Sequence, residues 1–358
     1  MSNTIKNIVI SILFGVILIG ILIMNLIKKD DLISISERRN LTQLPSFSIN
    51  SMLDKTLFDN FDKYTTDQFI YRDNFRYLKA MLDLNIKNNY HNLYLKDDYI
   101  IEQIYPININ SINNLTNKIT FIKDKYLTNN NIYFSIIPDK NYFVNDNNLK
   151  IDYDLLKSIM INNLSYAKYI DIFNELDLTA YYKTDSHWKE DSIVNVSNKL
   201  LSSMNNYNVV NYNTLKVTSF KGVYAYQLPI SSNEEDINIL TNNSINNSYV
   251  IHLDTNKITN IYDMNKINSL DKYDIYLSGS TPLLTIHNDN IKDRELIVFR
   301  DSFGSSLIPL FVSSYSKITV VDTRYINPKI LDNYIDINNQ DVLFIYNVSI
   351  INNSYSLK

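Results

Sequence analysis

The chain has 358 residues, which is enough for one large or two medium domains with a real hydrophobic core. Hydrophobic residues make up 45% and charged residues 20%, so this is not a disordered tail, and the net charge of -4 argues against a nucleic-acid partner. The absence of Cys, with only four His and five Gly, excludes structural zinc, iron–sulfur clusters, the usual thiol catalysis and glycine-rich phosphate loops.

The first element is an apolar segment over residues 8–27, in which only Ser11 and Asn25 are polar. About twenty residues at roughly 1.5 Å each span the roughly 30 Å of a bilayer core. Because no cleavage signature follows, we interpret residues 1–29 as an uncleaved signal anchor, with a cleaved signal peptide as the alternative. The expected location is the cell membrane, which the chain would cross once, with its N-terminus inside and the domain that follows outside.

Residues 30–50 are polar and are expected to form a membrane-proximal stalk. Helical spacing of apolar residues over 51–87 predicts two helices, broken near residues 68–73. Residues 92–101 are typical of a hairpin, and a helix is expected over 112–127.

An alternation of strands and helices then predicts the fold class. Ser111 is the expected N-cap of the 112–127 helix. Buried-type strands are expected at 131–137, 168–173, 295–300, 317–322 and 341–347, with helices at 191–204, 301–315 and 328–334. This pattern favours an α/β fold with a three-layer, mostly parallel sheet over 51–358. Residues 206–285 are Asn-rich with short alternating runs and are interpreted as a small β insertion.

The first chemical candidate is Ser302, at the junction of the strand 295–300 and the helix after it. Ligands bind at the carboxyl ends of strands in open α/β sheets. The first-turn amides of Phe303 and Gly304 are expected to be free donors for a tetrahedral oxyanion, and Gly304 permits a close approach of the backbone. Ser302 also suits a plain helix N-cap, so the position alone decides nothing.

The second candidate is the pair Asp185 and His187, which precede the 191–204 helix. Residues i and i+2 of an extended loop point the same way, so the carboxylate can hold the imidazole while it takes the Ser302 proton. The alternatives are an interface histidine and a helix-capping aspartate. The other histidines, His91, His252 and His287, have no such context and are interpreted as surface or packing residues.

Two boxes carry a resemblance to a known family. Thr184–Trp188 resembles the T-D-x-H-W box of the DHHW protein family and of the related periplasmic alginate O-acetyltransferases, and Arg300–Gly304 resembles their R-D-S-F-G box, itself similar to the G-D-S of SGNH hydrolases. Supporting matches follow the same order along the chain: Ser36–Leu41, Asp67–Asp73, Ile137–Lys140 and Val321–Arg324.

The resemblance implies an SGNH-like, flavodoxin-type core and acetyl transfer to an exported polysaccharide by Asp185, His187 and Ser302. It implies no cofactor and no metal, and an acetyl donor supplied by a membrane-bound O-acyltransferase partner. Oxyanion or substrate-binding candidates are Arg300, Phe303, Gly304, Trp188 and Lys140, although a packing tryptophan and a surface lysine are equally open.

The chain departs from the pattern at two positions. Ser186 stands where the family's name motif has His, outside the expected triad, and Arg300 stands where SGNH enzymes have Gly, so the oxyanion hole would be built differently. Two other functions remain open. An esterase would use the same triad with water as acceptor, and a non-catalytic polysaccharide-binding scaffold would not need the three residues together.

Overall fold

The computed structural model describes residues 3–37, 39–145, 148–230, 232–292 and 294–358. The chain divides into two compact units, Met1–Tyr90 with Ala225–Ser231, and His91–Tyr224 with Ser232–Lys358. Up to Tyr90 the elements are α1 (Asn3–Ile27), β1 (Ile33–Ser34), β2 (Arg39–Asn40), α2 (Ile49–Leu53), α3 (Thr56–Asp67) and α4 (Arg72–Lys87).

Helix α1 is long and apolar enough to cross a membrane, with a mean hydropathy of 2.8 and none of that window buried. Its 25 residues correspond to roughly 37 Å of helix. The predicted break between two helices is confirmed, because α3 ends at Asp67 and α4 begins at Arg72 after Tyr71, which takes a positive φ of 55°.

Two of the supporting sequence boxes meet in this first unit. Arg39 donates to Asp67 Oδ1 at 2.5 Å and to Glu37 Oε2 at 2.9 Å. Arg72 pairs with the same Glu37, whose other oxygen lies 3.3 Å from Arg76 Nε. Residues 36–41 and 67–73 therefore form an ion-pair network at the start of α4; Arg38 lies outside the described residues.

The elements after Tyr90 begin with two short antiparallel strands, which form the predicted hairpin. The strands are β3 (Leu93–Lys96), β4 (Tyr99–Glu102), β5 (Ile132–Ile137), β6 (Lys168–Tyr169), β7 (Asn213–Phe220), β8 (Glu235–Thr241), β9 (Tyr249–His252), β10 (Lys257–Asn260), β11 (Leu283–His287), β12 (Glu295–Arg300), β13 (Lys317–Val321) and β14 (Asp341–Asn347). The α-helices are α5 (Ile109–Tyr126), α6 (Tyr153–Asn163), α7 (Val194–Ser203), α8 (Val223–Gln227), α9 (Asn243–Asn246), α10 (Gly304–Leu307) and α11 (Val348–Asn352). Short 3₁₀ helices cover Lys140–Phe143, Phe173–Glu175, Leu178–Ala180, Glu190–Ser192, Met264–Asn268, Lys272–Ile275, Ile308–Phe311, Pro328–Asn333 and Ser354–Ser356.

The second unit is built on a sheet with strand order β10-β9-β11-β13-β12-β14-β5-β6. Strands β13, β12, β14, β5 and β6 are parallel neighbours, whereas β11, β9 and β10 add an antiparallel edge. Because β12 lies between β13 and β14, the turn after Arg300 opens at the carboxyl edge of the parallel strands.

Alternate residues of the parallel strands enter two different cores, which makes the unit three-layered. On β12, Leu296 and Val298 join the core covered by α7 and α10, while Ile297 and Phe299 join the core covered by α5, α6 and α11. Both cores exclude solvent at this strand, since all four of these side chains are at most 1% exposed. The predicted α/β class with a mostly parallel, three-layer sheet is thus confirmed.

Local chemistry shifts several predicted boundaries. The N-cap before α5 is Asn108 rather than Ser111, because the Asn108 side chain accepts the Ser111 N–H. The strand expected at 168–173 is only β6, since it pairs on one side and the chain then turns into a 3₁₀ helix. The helix expected at 301–315 starts as α10 and continues as 3₁₀, because Pro309 has no N–H to donate.

Residues 206–285 contribute strands in two places. Strands β7 and β8 form a separate antiparallel pair, while β9, β10 and part of β11 extend the main sheet. The 3₁₀ helix Lys272–Ile275 from the same segment brings Tyr273 into the core that faces α7 and α10.

Candidate active site

The loop 181–188 folds back on itself and places Asp185 against His187. Tyr181 and Trp188 form an isolated β-bridge, and the Tyr182 N–H donates to His187 O at 3.0 Å. Within this loop, Asp185 Oδ1 accepts from the His187 backbone N–H at 3.0 Å and lies 2.6 Å from His187 Nδ1. The i, i+2 spacing therefore has the geometry expected from the sequence.

The other ring nitrogen of His187 faces the strand-to-helix turn after β12. His187 Nε2 lies 2.8 Å from Ser302 Oγ, which is 115 residues further along the chain. With Nδ1–H donating to Asp185, Nε2 is the acceptor for the Ser302 hydroxyl proton. The structure thus brings Asp185, His187 and Ser302 together as one chain of hydrogen bonds.

Aromatic side chains fix the plane of the imidazole. The Tyr273 ring stacks on His187 with centroids 4.0 Å apart and an angle of 15°, and the Phe303 ring lies 4.8 Å away. Tyr273 is itself held by a 2.7 Å hydrogen bond to Ser306 Oγ. The ring is therefore restricted in rotation before any substrate binds.

Asp185 is a buried carboxylate that stays ionised. Burial alone would raise its pKa, but the neighbouring His187 and the N–H groups of His187 and Val223 outweigh burial and hold the pKa below its usual range. The Val223 N–H donates to Asp185 Oδ2 at 2.8 Å.

Gly222 permits that approach. A Cβ at position 222 would lie 2.3 Å from Asp185 Cβ and 2.4 Å from Thr184 O, so no larger residue fits without movement. The Gly222 N–H also donates to Thr184 Oγ1 at 2.9 Å.

The turn that carries Ser302 is organised by Asp301, and this changes the expected oxyanion donors. Asp301 Oδ1 accepts the Phe303 N–H at 2.9 Å, and Asp301 O accepts the Gly304 N–H at 3.1 Å. Both amides that were expected to be free are therefore already used. The Ser302 N–H, in contrast, has no acceptor among the residues that the structure describes.

The second oxygen of Asp301 fastens this turn to the neighbouring strand. Asp301 Oδ2 accepts the Asn347 N–H from the end of β14 at 2.6 Å. Burial raises the pKa of Asp301, although these N–H donors oppose the rise.

Arg300 lies inside the protein instead of lining an open site. Its side chain is completely buried; Nη1 donates to Asp322 Oδ2 at 3.0 Å and Nη2 to Gly279 O at 3.4 Å. A Cβ on Gly304 would lie 2.8 Å from Arg300 Cβ, so Gly304 makes room for this side chain. Arg300 and Gly304 therefore stabilise the Ser302 turn from the interior of the protein.

Trp188 and Lys140 are also buried. Trp188 Nε1 donates to Phe303 O at 3.1 Å and to Ser306 Oγ at 3.0 Å, which joins the His187 loop to the Ser302 turn. Lys140 Nζ donates to Ile100 O and, at 3.1 Å, to Tyr182 O. Burial lowers the pKa of Lys140 to about 7, partly offset by nearby carboxylates. Both side chains therefore bind backbone carbonyl groups, and they are at most 3% exposed in this conformation.

Three contributors to the site were not predicted: Glu235, Tyr273 and Gly222. Glu235 accepts the N–H groups of Lys183 and Thr184, each at 2.7 Å, and so caps the loop before Asp185. All three contributors come from residues 206–285, where Asn-rich composition hid them. The one available signal was glycine scarcity, since Gly222 is one of five glycines in the chain.

No protein-family model and no curated protein sequence matches the chain. Solved structures of other proteins do match the chain. A DHHW family protein from Eubacterium siraeum matches with a TM-score of 0.58 and 17% identity, covering 74% of this chain and 92% of that one. PatB1 of Bacillus cereus with a sulfonyl adduct matches with a TM-score of 0.58 and 17% identity, covering 72% and 95%. A second PatB1 structure has a TM-score of 0.52 at 16% identity, covering 72% and 96%. The chain therefore has the fold of the DHHW family protein and of PatB1, as its two sequence boxes predict.

Proposed function

We propose that the protein is a membrane-anchored, extracytoplasmic O-acetyltransferase that modifies an exported cell-surface polysaccharide through an acetyl-Ser302 intermediate. The observation that carries the proposal is the continuous hydrogen-bond chain from Asp185 through His187 to Ser302. Such a chain is the arrangement that activates a serine hydroxyl for acyl transfer.

In the first half-reaction, Ser302 Oγ attacks the carbonyl carbon of an acetyl ester while His187 Nε2 takes the hydroxyl proton. The imidazolium that forms is stabilised by the ionised Asp185. The tetrahedral oxyanion collapses, the leaving oxygen takes the proton from His187, and acetyl-Ser302 remains. The free Ser302 N–H is the candidate oxyanion donor, a contribution of about 3 kcal/mol to such a transition state.

In the second half-reaction, a sugar hydroxyl gives its proton to His187 and attacks the acetyl carbon. The bond between the acetyl group and Ser302 Oγ breaks, and Oγ recovers the proton from His187. Water in place of the sugar would make the same residues an esterase. The acceptor is therefore the point at which the two functions separate.

The anchor and the donor partner belong to the same proposal. Helix α1 is hydrogen-bonded to the segment between α3 and α4, since Asn25 Oδ1 accepts the Ile70 N–H at 2.8 Å, which favours a retained helix over a removed leader. Acetyl-CoA is absent outside the membrane, so the acetyl group must reach Ser302 through a partner. The resemblance to alginate O-acetyltransferases suggests a membrane-bound O-acyltransferase.

The test is to trap the acetyl group. The purified full-length chain is incubated with a generic acetyl ester, and intact-mass and peptide analysis locate the adduct. We expect acetylation of Ser302 in the natural chain and none in Ser302→Ala or His187→Ala. Ser186→Ala is the matched control, because Ser186 Oγ is a second serine hydroxyl near the ring, 3.5 Å from His187 Nδ1.

The fate of the trapped adduct decides the acceptor. Faster discharge to a sugar oligomer than to water would support the transferase, whereas discharge to water alone would favour the esterase. A folded sample with no adduct would contradict the triad and favour a binding role. Because PatB1 is seen with a sulfonyl adduct, a sulfonyl fluoride is a second probe that does not depend on the acetyl donor.

A further inference from the structure

Helix α4 has an apolar face that no part of the described protein covers. The residues Tyr71, Phe75, Leu78, Leu82 and Ile86, which we call the α4 stripe, recur at helical spacing and are 51–76% exposed. Exposed apolar residues scattered singly are ordinary, but a continuous row along one helix face is not.

The packed side of α4 carries two arginines in its first two turns, where a helix on a soluble core would have large apolar residues. Ala80 is fully buried there, and Arg72 and Arg76 reach Glu37 in the ion-pair network described above. Arg76 also donates to Ser36 Oγ at 3.0 Å. The arginines of α4 therefore face the protein while the large apolar residues of the stripe face outwards, which is opposite to a helix that packs on a soluble core.

The start of α4 is fastened to the end of the candidate membrane span. The Ile70 N–H donates to Asn25 Oδ1 at 2.8 Å, in the last turn of α1. Gln68 accepts the Asp31 N–H at 2.9 Å and donates to Asp31 O at 2.9 Å. The corner between α3 and α4 is thus held at the level where the span leaves the bilayer.

The residues between α3 and α4 are of the types found at the membrane–water interface. Phe69 and Tyr71 are exposed beside Ile70, and aromatic side chains of this kind concentrate at membrane–water interfaces. Lys28 and Lys29 follow the span directly and place cations at the level of the lipid headgroups.

We infer that α4 is an interfacial membrane helix whose stripe inserts into the outer leaflet beside the end of α1. The inference rests on the membrane anchoring in the proposed function but not on its chemistry. The occupant of the stripe is lipid, because the helix starts at the membrane boundary and an interfacial helix buries its apolar face about 5–10 Å into the headgroup and acyl region.

The experiment uses the absence of cysteine in the natural chain, which makes any introduced cysteine a unique labelling site. The full-length chain carries a polarity-sensitive fluorophore at Leu78→Cys or Leu82→Cys and is reconstituted in vesicles of phosphatidylethanolamine and phosphatidylglycerol, with and without brominated acyl chains. Tyr77→Cys and Lys87→Cys are the matched controls, because both residues are exposed on α4 but point away from the stripe.

We expect bromolipid to quench both stripe positions several-fold more strongly than Tyr77→Cys or Lys87→Cys, in vesicles that contain this protein alone. Equal quenching at stripe and control positions would overturn the inference. So would stripe labels that stay water-accessible, or that report a second copy through energy transfer between copies at high dilution in lipid; a membrane-protein partner or a dimer would then be the occupant.

A label at Leu18→Cys, in the middle of α1, separates this inference from the proposed function. Quenching at Leu18 without quenching at Leu78 would leave the anchor intact and refute the interfacial helix. No quenching at either position would refute the anchor. Acetylation of Ser302 is measured on the same samples and reports on the chemistry independently.

Discussion

The Gly222→Ala substitution tests whether the backbone after β7 positions the Asp185 carboxylate. The added Cβ would lie 2.3 Å from Asp185 Cβ, 2.4 Å from Thr184 O and 2.5 Å from Asp185 Cα. Since carbon atoms in contact lie about 3.5–4.0 Å apart, one of the two segments must move by roughly 1 Å. A shift of that size would lengthen the 2.8 Å bond from the Val223 N–H to Asp185 Oδ2 beyond hydrogen-bond distance.

The loss has a structural and a catalytic part. A hydrogen bond to a charged group contributes about 1.5–3 kcal/mol to the free energy of unfolding. A displacement of about 1 Å in a catalytic group costs about 10²-fold in rate. We therefore expect Gly222→Ala to lower both the thermal midpoint and the rate at which a sulfonyl fluoride or an acetyl ester labels Ser302.

The matched control is Gly20→Ala in α1, where the added Cβ meets nothing within 4 Å beyond its chain neighbours and the nearby backbone of α1 itself. It makes the same chemical change and should leave the rate of Ser302 labelling unchanged. A Gly222→Ala protein that labels Ser302 at the natural rate would refute the reasoning, because Asp185 would then not depend on the close approach of this backbone.

Three further substitutions test other contacts. Asp185→Asn should slow Ser302 acylation by about 10³–10⁴-fold with little change in fold by circular dichroism, because an amide does not stabilise the imidazolium; a less than tenfold effect would contradict this role. Near pH 4, Glu190→Gln should have a thermal midpoint similar to that of the natural protein. Towards pH 7, its midpoint should lie increasingly above that of the natural protein. Burial raises the pKa of Glu190 well above its usual value, so the folded state keeps a proton that the unfolded state releases above about pH 4.3, at a cost of about 1.4 kcal/mol per pH unit. An equal shift at both pH values would argue against a protonated Glu190. Glu235→Gln should lower the free energy of unfolding by about 1–3 kcal/mol in urea titrations, since an amide cannot accept from Lys183 and Thr184 with both of its terminal atoms; unchanged stability would contradict this capping role.

The hydrogen bonds of Glu190 explain why glutamine is the right replacement. Tyr262 Oη lies 2.9 Å from Glu190 Oε1 and 2.6 Å from Leu240 O, but a phenol has one proton and cannot donate to both. A protonated Glu190 donates to Tyr262, which then donates to Leu240 O, while Glu190 Oε2 accepts the Leu240 N–H at 2.7 Å. Glutamine reproduces each of these bonds without a titratable group.

The parallel strands and the two chemical boxes could be predicted from the sequence because their signals are local. A run such as 295–300 is continuously apolar, and Asp185 lies two residues from His187. Partners that depend on distant residues could not be predicted. The burial of Arg300 needs Asp322 and the carbonyl of Gly279, and neither can be inferred from the R-D-S-F-G box alone.

The expected oxyanion donors illustrate the same limit at short range. The first-turn amides of Phe303 and Gly304 are free in an isolated helix, but the side chain and carbonyl of Asp301 accept them both. An aspartate before a helix is expected to cap it, yet whether its cap takes the amides that a substrate would need depends on the turn geometry. Asp301 is visible in the sequence, but the direction of its side chain could not be predicted from it.

The three hydrogen-bonded residues of the site come from two segments that are far apart in the sequence, so the site can separate into two parts. Asp185 and His187 share one loop, whereas Ser302 lies in the turn after β12, 115 residues beyond His187. A displacement of that loop from the sheet edge would lengthen the distance from His187 Nε2 to Ser302 Oγ and break the Trp188 bonds to Phe303 O and Ser306 Oγ, but it would leave the Asp185–His187 pair intact. The low-field proton resonance of that pair would then persist in an inactive protein, so that the spectrum distinguishes a separated site from an unfolded one.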